Sequence, residues 1–252
     1  MTDLKSSLIP SFEDLAILLD IDGTILDIAP TPQTVSVPDS LRHTLQRLSS
    51  LTAGALALVS GRSLTDLDRL FAPLRLPAVA GHGAELRQIP GAVSNERRPV
   101  TLDSSIKKKL ASIAETGSGI ILEDKGYALA LHYRQATEKE DLIRQSVARI
   151  CAGRPDIEVL PGKCVVEIKQ TGFNKATGVR SLMTCPPFAG RRPIFIGDDT
   201  TDEYAFEVMP EFNGLAFSVG NAVRGVDGHF EGPAAVRDWL ASIAGMKEAA
   251  AQ

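Results

Sequence analysis

Short apolar runs recur in the first and last thirds of the chain and predict buried strands. Those at 15–19, 55–59 and 193–196 contain no charged side chain. Apolar runs without alternation are typical of strands buried on both faces, as in a parallel sheet covered by helices. Weaker runs at 76–81 and 215–220 predict two further strands of the same sheet.

Amphipathic segments lie between these runs and predict helices. Pro38 precedes a stretch in which Leu41, Leu45 and Leu48 share one helical face, and proline is favourable at a helix start. Ser63 precedes a second such stretch and predicts its N-cap. Because strands alternate with helices, we predict an α/β fold with a doubly wound, Rossmann-like parallel sheet.

The middle of the chain has a different pattern. Thr137 and Glu140 have the spacing of a capping box before a helical apolar stripe. The segments 127–134 and 163–169 alternate like half-exposed antiparallel strands. We therefore predict a small α+β domain inserted into the parallel-sheet core. The predicted domains are a core at 1–98 and 170–252 and an inserted cap domain at 99–169.

Composition narrows the function classes. The 252 residues include 27 Lys and Arg against 31 Asp and Glu, a net charge of −4, whereas binding to nucleic acid favours a basic surface. No apolar run approaches the roughly 20 residues of a membrane span, and the first residues do not resemble a secretory signal. Three cysteines without CxxC spacing favour a reducing compartment. We expect a cytoplasmic enzyme for a small molecule, either a monomer or a small homo-oligomer.

Two carboxylates, Asp20 and Asp22, directly follow the first predicted strand. Ligands of open α/β sheets bind at the carboxyl ends of the strands. Carboxylates two residues apart can divide the chemistry, because one attacks or binds metal while the other transfers a proton. The alternative is a strand-to-turn junction in which both aspartates bond to backbone amides.

A hydroxyl and backbone amides follow the second predicted strand, at Ser60, Gly61 and Arg62. A hydroxyl beside a glycine and a helix N-terminus can hold a phosphate group. A simple helix cap is the alternative, because the tripeptide alone has little specificity. This end of the sheet therefore predicts either a phosphate site or a cap.

Four acidic residues crowd the segment 198–203, among them Asp198, Asp199 and Asp202. Such crowding is unfavourable unless a cation neutralises it, and Mg²⁺ prefers oxygen ligands. A solvated acidic helix start is the alternative. Lys175 stands in the first turn of another predicted helix, where the helix dipole disfavours a positive charge. Its position therefore indicates a functional role.

Taken together, these motifs resemble those of the haloacid dehalogenase-like (HAD) phosphohydrolases. Asp20-x-Asp22-Gly-Thr is similar to the first motif, Ser60 to the second, Lys175 to the third and Gly197-Asp198-Asp199…Asp202 to the fourth. The segments GHGAE, LEDKGYALALHYR, PGKCVVEIK and GDDTTDE further resemble the trehalose-6-phosphate phosphatase family. The resemblance extends over about residues 16–222.

This resemblance implies a phosphatase reaction through an aspartyl phosphate. Asp20 would be the nucleophile and Asp22 the general acid and base, while Ser60 and Lys175 would bind phosphoryl oxygens. Mg²⁺ would be held by Asp20, the main-chain carbonyl of Asp22 and Asp198, with Asp199 or Asp202 positioning its waters.

The inserted domain would select the sugar phosphate. Alternate strand residues share a face, so Lys163, Glu167 and Lys169 are expected together, as are His132 and Arg134. Such a face suits sugar hydroxyls, and a solvated sheet face is the alternative. By resemblance, the sugar contacts are Glu123, Lys125, Arg134, Lys163 and Glu167, with His82 between the two domains. Phosphatases for sucrose or mannosylglycerate phosphate, a phosphomutase and a non-catalytic sugar-phosphate sensor remain as alternative functions.

Overall fold

The computed structural model describes residues 11–28, 35–91, 102–115, 119–162 and 164–250. The chain falls into two compact units, the first formed by both ends of the chain and the second by Arg98–Phe173. None of the helices within the described ranges is long and apolar enough to cross a bilayer.

Eleven strands and seven α-helices are present in the described ranges. The strands are β1 (Leu15–Leu19), β2 (Leu56–Val59), β3 (Ala78–Ala80), β4 (Glu85–Arg87), β5 (Ile121–Asp124), β6 (Ala128–His132), β7 (Ile157–Gly162), β8 (Val165–Gln170), β9 (Arg192–Gly197), β10 (Leu215–Val219) and β11 (Gly228–Phe230). The helices are α1 (Asp39–Leu51), α2 (Leu64–Phe71), α3 (Ser104–Glu115), α4 (Glu140–Cys151), α5 (Lys175–Met183), α6 (Thr200–Val208) and α7 (Pro233–Ala250).

The first unit contains a seven-stranded sheet in the order β11-β10-β9-β1-β2-β3-β4. All neighbouring strands are parallel except β3 and β4. The strand order reverses at β1, because β2 and β3 lie on one side of it and β9 and β10 on the other. A reversal of this kind is the usual ligand-binding position of an open α/β sheet.

Helices cover both faces of this sheet. On β1, Leu15, Ile17 and Leu19 pack into the core that includes side chains of α1, α2 and α7. Ala16 and Leu18 point to the opposite core, which includes side chains of α5 and α6. Every residue of β1 is therefore buried, which explains its continuous apolar run. The predicted doubly wound α/β fold is confirmed.

The second unit is an antiparallel sheet in the order β5-β6-β8-β7, with α3 and α4 packed on one face. Leu129 and Leu131 of β6 enter this core together with Leu110 of α3 and Ile143 of α4. The capping box predicted from Thr137 is wrong. Residues Thr137–Lys139 form a turn of 3-10 helix. Helix α4 therefore begins at Glu140, which the predicted capping box would make the third residue of the helix.

Candidate active site

Residues from three neighbouring strands of the first unit meet at the carboxyl ends of those strands. Asp20 follows β1 and its backbone N–H donates to the carbonyl of Ile196 in β9 at 2.9 Å. Ser60 follows β2 and its N–H donates to the carbonyl of Val79 at 2.8 Å. Asp198 follows β9. The sheet thereby brings together the ends of separate sequence motifs.

A buried lysine joins two of the predicted acidic residues. The Nζ of Lys175 lies 2.8 Å from Asp20 Oδ1 and 2.6 Å from Asp202 Oδ1. Burial alone would lower the pKa of Lys175, but the two carboxylates raise it above its ordinary value. Lys175 therefore stays positively charged and partly neutralises this end of the sheet.

The start of α5 holds this lysine in place. Asn174 and Thr177 form a reciprocal capping box, in which each side chain accepts a hydrogen bond from the other residue's backbone N–H. The cap fixes the first turn of the helix and therefore the position from which Lys175 extends.

Thr24 links the nucleophile candidate to the acidic segment, a role that the sequence reasoning missed. Its Oγ1 lies 2.9 Å from Asp20 Oδ2 and 3.1 Å from Asp198 Oδ1. Gly23 is also required, because its φ is +89° and a Cβ there would overlap the carboxylate of Asp198. The signal was present in the sequence, since both residues belong to the Asp20–Thr24 motif.

Three carboxylates could hold a cation at this site. Asp20, Asp198 and Asp202 each offer one oxygen, and these oxygens lie within 4.8 Å of one another. Burial and the nearby charges of Asp20 and Asp199 raise the pKa of Asp198 to about 7. Crowded oxygens of this kind suit a hard cation such as Mg²⁺. The donor set therefore fits the expected metal.

Asp199 has a structural task in the described site. Its Oδ1 accepts hydrogen bonds from the N–H groups of Thr201 at 2.8 Å and Asp202 at 3.2 Å, which makes it the N-cap of α6. Burial would raise its pKa, but the charge of Lys175 and the bonds from Thr201 hold the pKa below its ordinary value. The structure places its carboxylate outside the group of three that could share a cation.

The second predicted motif is brought to the same site. Ser60 is buried, and its Oγ accepts a hydrogen bond from the N–H of Arg62 at 3.1 Å. The helix cap is Ser63, whose Oγ accepts from Asp66 N–H. The hydroxyl of Ser60 is thus separate from the cap of α2. The side chain of Arg62 binds the carboxylate of Asp22, with Nε 2.6 Å from Oδ2 and Nη2 2.7 Å from Oδ1.

His82 lies against this loop within the first unit. Its backbone N–H donates to the carbonyl of Ser60 at 3.0 Å. A Cβ on Gly61 would overlap the imidazole of His82, so only glycine allows this close approach. His82 has a φ of +53°, in the left-handed region. The structure therefore places His82 beside Gly61.

The second unit carries two pairs among the predicted sugar contacts. Lys125 Nζ lies 3.2 Å from Glu167 Oε2, and His132 Nε2 lies 2.8 Å from Glu123 Oε2. The hydrogen bond from His132 is the main reason that the pKa of Glu123 lies below its ordinary range. The side chains of these four residues are therefore held in two pairs on this sheet.

The remaining members of the predicted face behave differently. Lys169 is buried, pairs with Glu158 at 2.9 Å and also contacts the carbonyl of Phe173, so this face is not simply solvated. Strand β6 ends at His132, so Arg134 lies beyond the strand and is exposed, which corrects its expected place on a shared strand face. Lys163 lies outside the described residues.

The fold of this chain is shared with phosphatases of the HAD type. A phosphatase of the haloalkanoate (HAD) enzyme superfamily from Bacteroides thetaiotaomicron superposes with a TM-score of 0.61 at 16% identity, over 96% of this chain and 99% of that chain. A family model described as trehalose-phosphatase matches residues 18–232, and the chain belongs to this family.

A relative in sequence supports this membership, and a solved structure supports the fold. Trehalose-6-phosphate phosphatase of Escherichia coli K12 is 40% identical over 224 residues, which cover 89% of this chain and 84% of that protein. The C-terminal domain of a C. albicans trehalose-6-phosphate phosphatase has a TM-score of 0.80 at 22% identity, with 92% of each chain covered. At that identity, the structural match supports the fold alone.

Proposed function

We propose that the protein is a magnesium-dependent phosphatase that hydrolyses trehalose 6-phosphate to trehalose and inorganic phosphate. The observation that carries the chemistry is the buried Asp20 carboxylate, paired with Lys175 at 2.8 Å and close to Asp198. The E. coli relative, a trehalose-6-phosphate phosphatase at 40% identity, supports the substrate. The three cysteines are free thiols, which supports a reducing compartment such as the cytoplasm.

In the first step, one oxygen of Asp20 forms a bond to phosphorus and the bond from phosphorus to the sugar oxygen breaks. Asp22 gives its proton to that oxygen, so trehalose leaves as a neutral alcohol. Ser60, Gly61 and Lys175 bind the phosphoryl oxygens, with the charge of Lys175 opposing the negative charge that gathers there. The product of this step is phosphorylated Asp20.

In the second step, water attacks phosphorus and the bond to the Asp20 oxygen breaks. Asp22 takes a proton from the water and is ready for the next cycle. Asp20 returns as a carboxylate that again pairs with Lys175. Atoms and protons balance over the two steps, and the net reaction is hydrolysis of one phosphate ester.

Asp20, Asp198 and the main-chain carbonyl of Asp22 would hold Mg²⁺, with Asp202 in the same acidic group. When bound, the cation would offset the negative charge of the carboxylates and of the phosphoryl group. Asp202 also accepts hydrogen bonds from the N–H groups of Asp198 at 3.0 Å and Asp199 at 3.1 Å. It thereby holds the backbone on which Asp198 is carried.

The second unit is proposed to recognise the sugar through Glu123, Lys125 and Glu167. Paired carboxylates and ammonium groups can exchange their mutual contacts for sugar hydroxyls at small cost, because both partners remain hydrogen-bonded. Arg134 and Lys163 stay as additional expected contacts from the sequence.

The test is phosphate release from trehalose 6-phosphate compared with glucose 6-phosphate, sucrose 6-phosphate and mannosylglycerate phosphate, each with Mg²⁺ and with chelator. We expect a magnesium-dependent preference for trehalose 6-phosphate. Asp20→Asn should abolish turnover, whereas Asp39→Asn, a change at an exposed aspartate of α1, should not. Preference for another ester would overturn the substrate, and substantial activity of Asp20→Asn would overturn the nucleophile.

A further inference from the structure

The guanidinium group of Arg62 binds both carboxylate oxygens of Asp22. The two contacts, 2.6 and 2.7 Å long, join Nε to Oδ2 and Nη2 to Oδ1. The Arg62 side chain is 13% exposed and that of Asp22 is 37% exposed. A two-point contact of this type fixes the orientation of a carboxylate as well as its position. Loss of this contact would remove a restraint on the rotation of the Asp22 carboxyl group.

Hydrogen bonds hold both the backbone N–H and the backbone carbonyl of Arg62. Its N–H donates to Ser60 Oγ at 3.1 Å, and its carbonyl accepts from the N–H of Gly81 at 2.9 Å. The loops that follow β2 and β3 therefore fix the orientation of Asp22 through Arg62. Asp22 and Arg62 are 40 residues apart in the chain.

We propose that Arg62 is a positioning residue that holds the carboxyl group of Asp22 in the orientation needed for proton transfer. The inference rests on the proposed role of Asp22 in the two reaction steps. A carboxylate offers about four lone-pair sites and the guanidinium occupies one on each oxygen, so sites remain for a proton. Arg62 thus acts through Asp22, in contrast to the direct phosphate contact expected from the sequence.

The two roles of Arg62 predict different kinetics. If Arg62 orients Asp22, Arg62→Ala lowers kcat by about 100-fold, the typical effect of a small misplacement of a catalytic group. KM for trehalose 6-phosphate then stays nearly unchanged, because Arg62 contributes no contact to the bound substrate. If Arg62 binds the phosphate directly, KM rises. Arg62→Lys keeps the charge and loses the two-point contact, so it should recover little of the lost kcat.

A double-mutant cycle with Asp22→Ala provides the decisive test, measured by single-turnover phosphate release with enzyme in excess. In the Asp22→Ala background, adding Arg62→Ala should change the rate by no more than about twofold, because its partner is already absent. Arg180→Ala is the matched control, since Arg180 makes the same two-point contact with Glu211 on the exposed surface. This control should keep the wild-type kcat.

Each outcome separates this inference from the proposed function. An Asp22→Ala variant with wild-type turnover would refute the role of Asp22 in the proposed mechanism. Loss of activity in Asp22→Ala with full activity in Arg62→Ala would refute the positioning role alone. An undiminished effect of Arg62→Ala in the absence of Asp22, or full recovery by Arg62→Lys, would also refute it. If Arg62→Ala does not fold, the Arg62→Lys variant decides through the same cycle.

Discussion

The negative charge of Asp198 should destabilise the folded protein, although the proposed mechanism uses this carboxylate to hold Mg²⁺. In the folded protein, burial and the neighbouring carboxylates raise its pKa from 3.8 to about 7. The unfolded chain releases this proton near pH 4, whereas the folded protein keeps it until about pH 7. The folded state then binds more protons between these values, so stability falls as the pH rises through this window. Above pH 7 the loss is complete.

The pKa difference sets the size of this loss. A change from 3.8 to about 7 corresponds to about 4 kcal/mol, at about 1.4 kcal/mol for each pH unit. Solvent screening in a partly open site reduces this loss of stability to about 2 kcal/mol. We therefore expect Asp198→Asn to raise the free energy of unfolding by about 2 kcal/mol at pH 8 in chelator. The asparagine oxygen can still accept the hydrogen bond from Thr24.

The measurement is urea unfolding followed by circular dichroism, at pH 4 and pH 8, with chelator and with Mg²⁺. The variant and the wild type should converge near pH 4, and Mg²⁺ should stabilise the wild type more than the variant. Asp39→Asn, at an exposed position that pairs with Arg42, should change the free energy of unfolding by no more than about 1 kcal/mol at either pH. If Asp198→Asn is less stable than the wild type at pH 8 in chelator, burial and repulsion of the Asp198 charge are not the dominant effects at this site.

Two further substitutions test the site loop and the second unit. Gly23→Ala places a Cβ at a φ of +89° against the Asp198 carboxylate, so we expect lower turnover and a higher Mg²⁺ requirement in a phosphate-release titration; an unchanged Mg²⁺ requirement would contradict this. Leu110 is fully buried between the helices and sheet of the second unit. Leu110→Ala should lower the free energy of unfolding by about 2–5 kcal/mol in chemical denaturation, and a change below about 1 kcal/mol would contradict that packing.

The central strands could be predicted from the sequence because burial on both faces produces continuous apolar runs. The edge strands could not. β5 and β7 are only partly buried, and β7 contains Pro161 within the strand. At such edges one side of the strand lacks a neighbour, so the sequence is free to vary and the apolar pattern is lost. The short strands β4 and β11 have three residues each, too few to show a period.

The meeting of Asp20, Lys175 and Asp198 follows from a general rule about the carboxyl ends of parallel strands, so the sequence alone predicts that these separate motifs share one site. The individual partners could not be predicted in this way. Asp199 and Asp202 have the spacing of a helix cap as well as of a metal motif, and local hydrogen bonds engage Asp199 as the cap. The pairing of Arg62 with Asp22 depends on the relative position of two loops in space, which the order of residues along the chain does not show.

The placement of β1 between β2 and β9 has a consequence for the order in which a ribosome produces this protein. Leu19 pairs with Ile196 on one side and with Leu58 on the other, and Asp20 meets Lys175 across 155 positions of chain. The segment synthesised before β9 therefore carries the central strand β1 with one edge unpaired, while the second unit, Arg98–Phe173, is one continuous stretch of chain. Contacts over such separations form slowly. The reactive centre can therefore form only after β9 has been synthesised and has paired with β1.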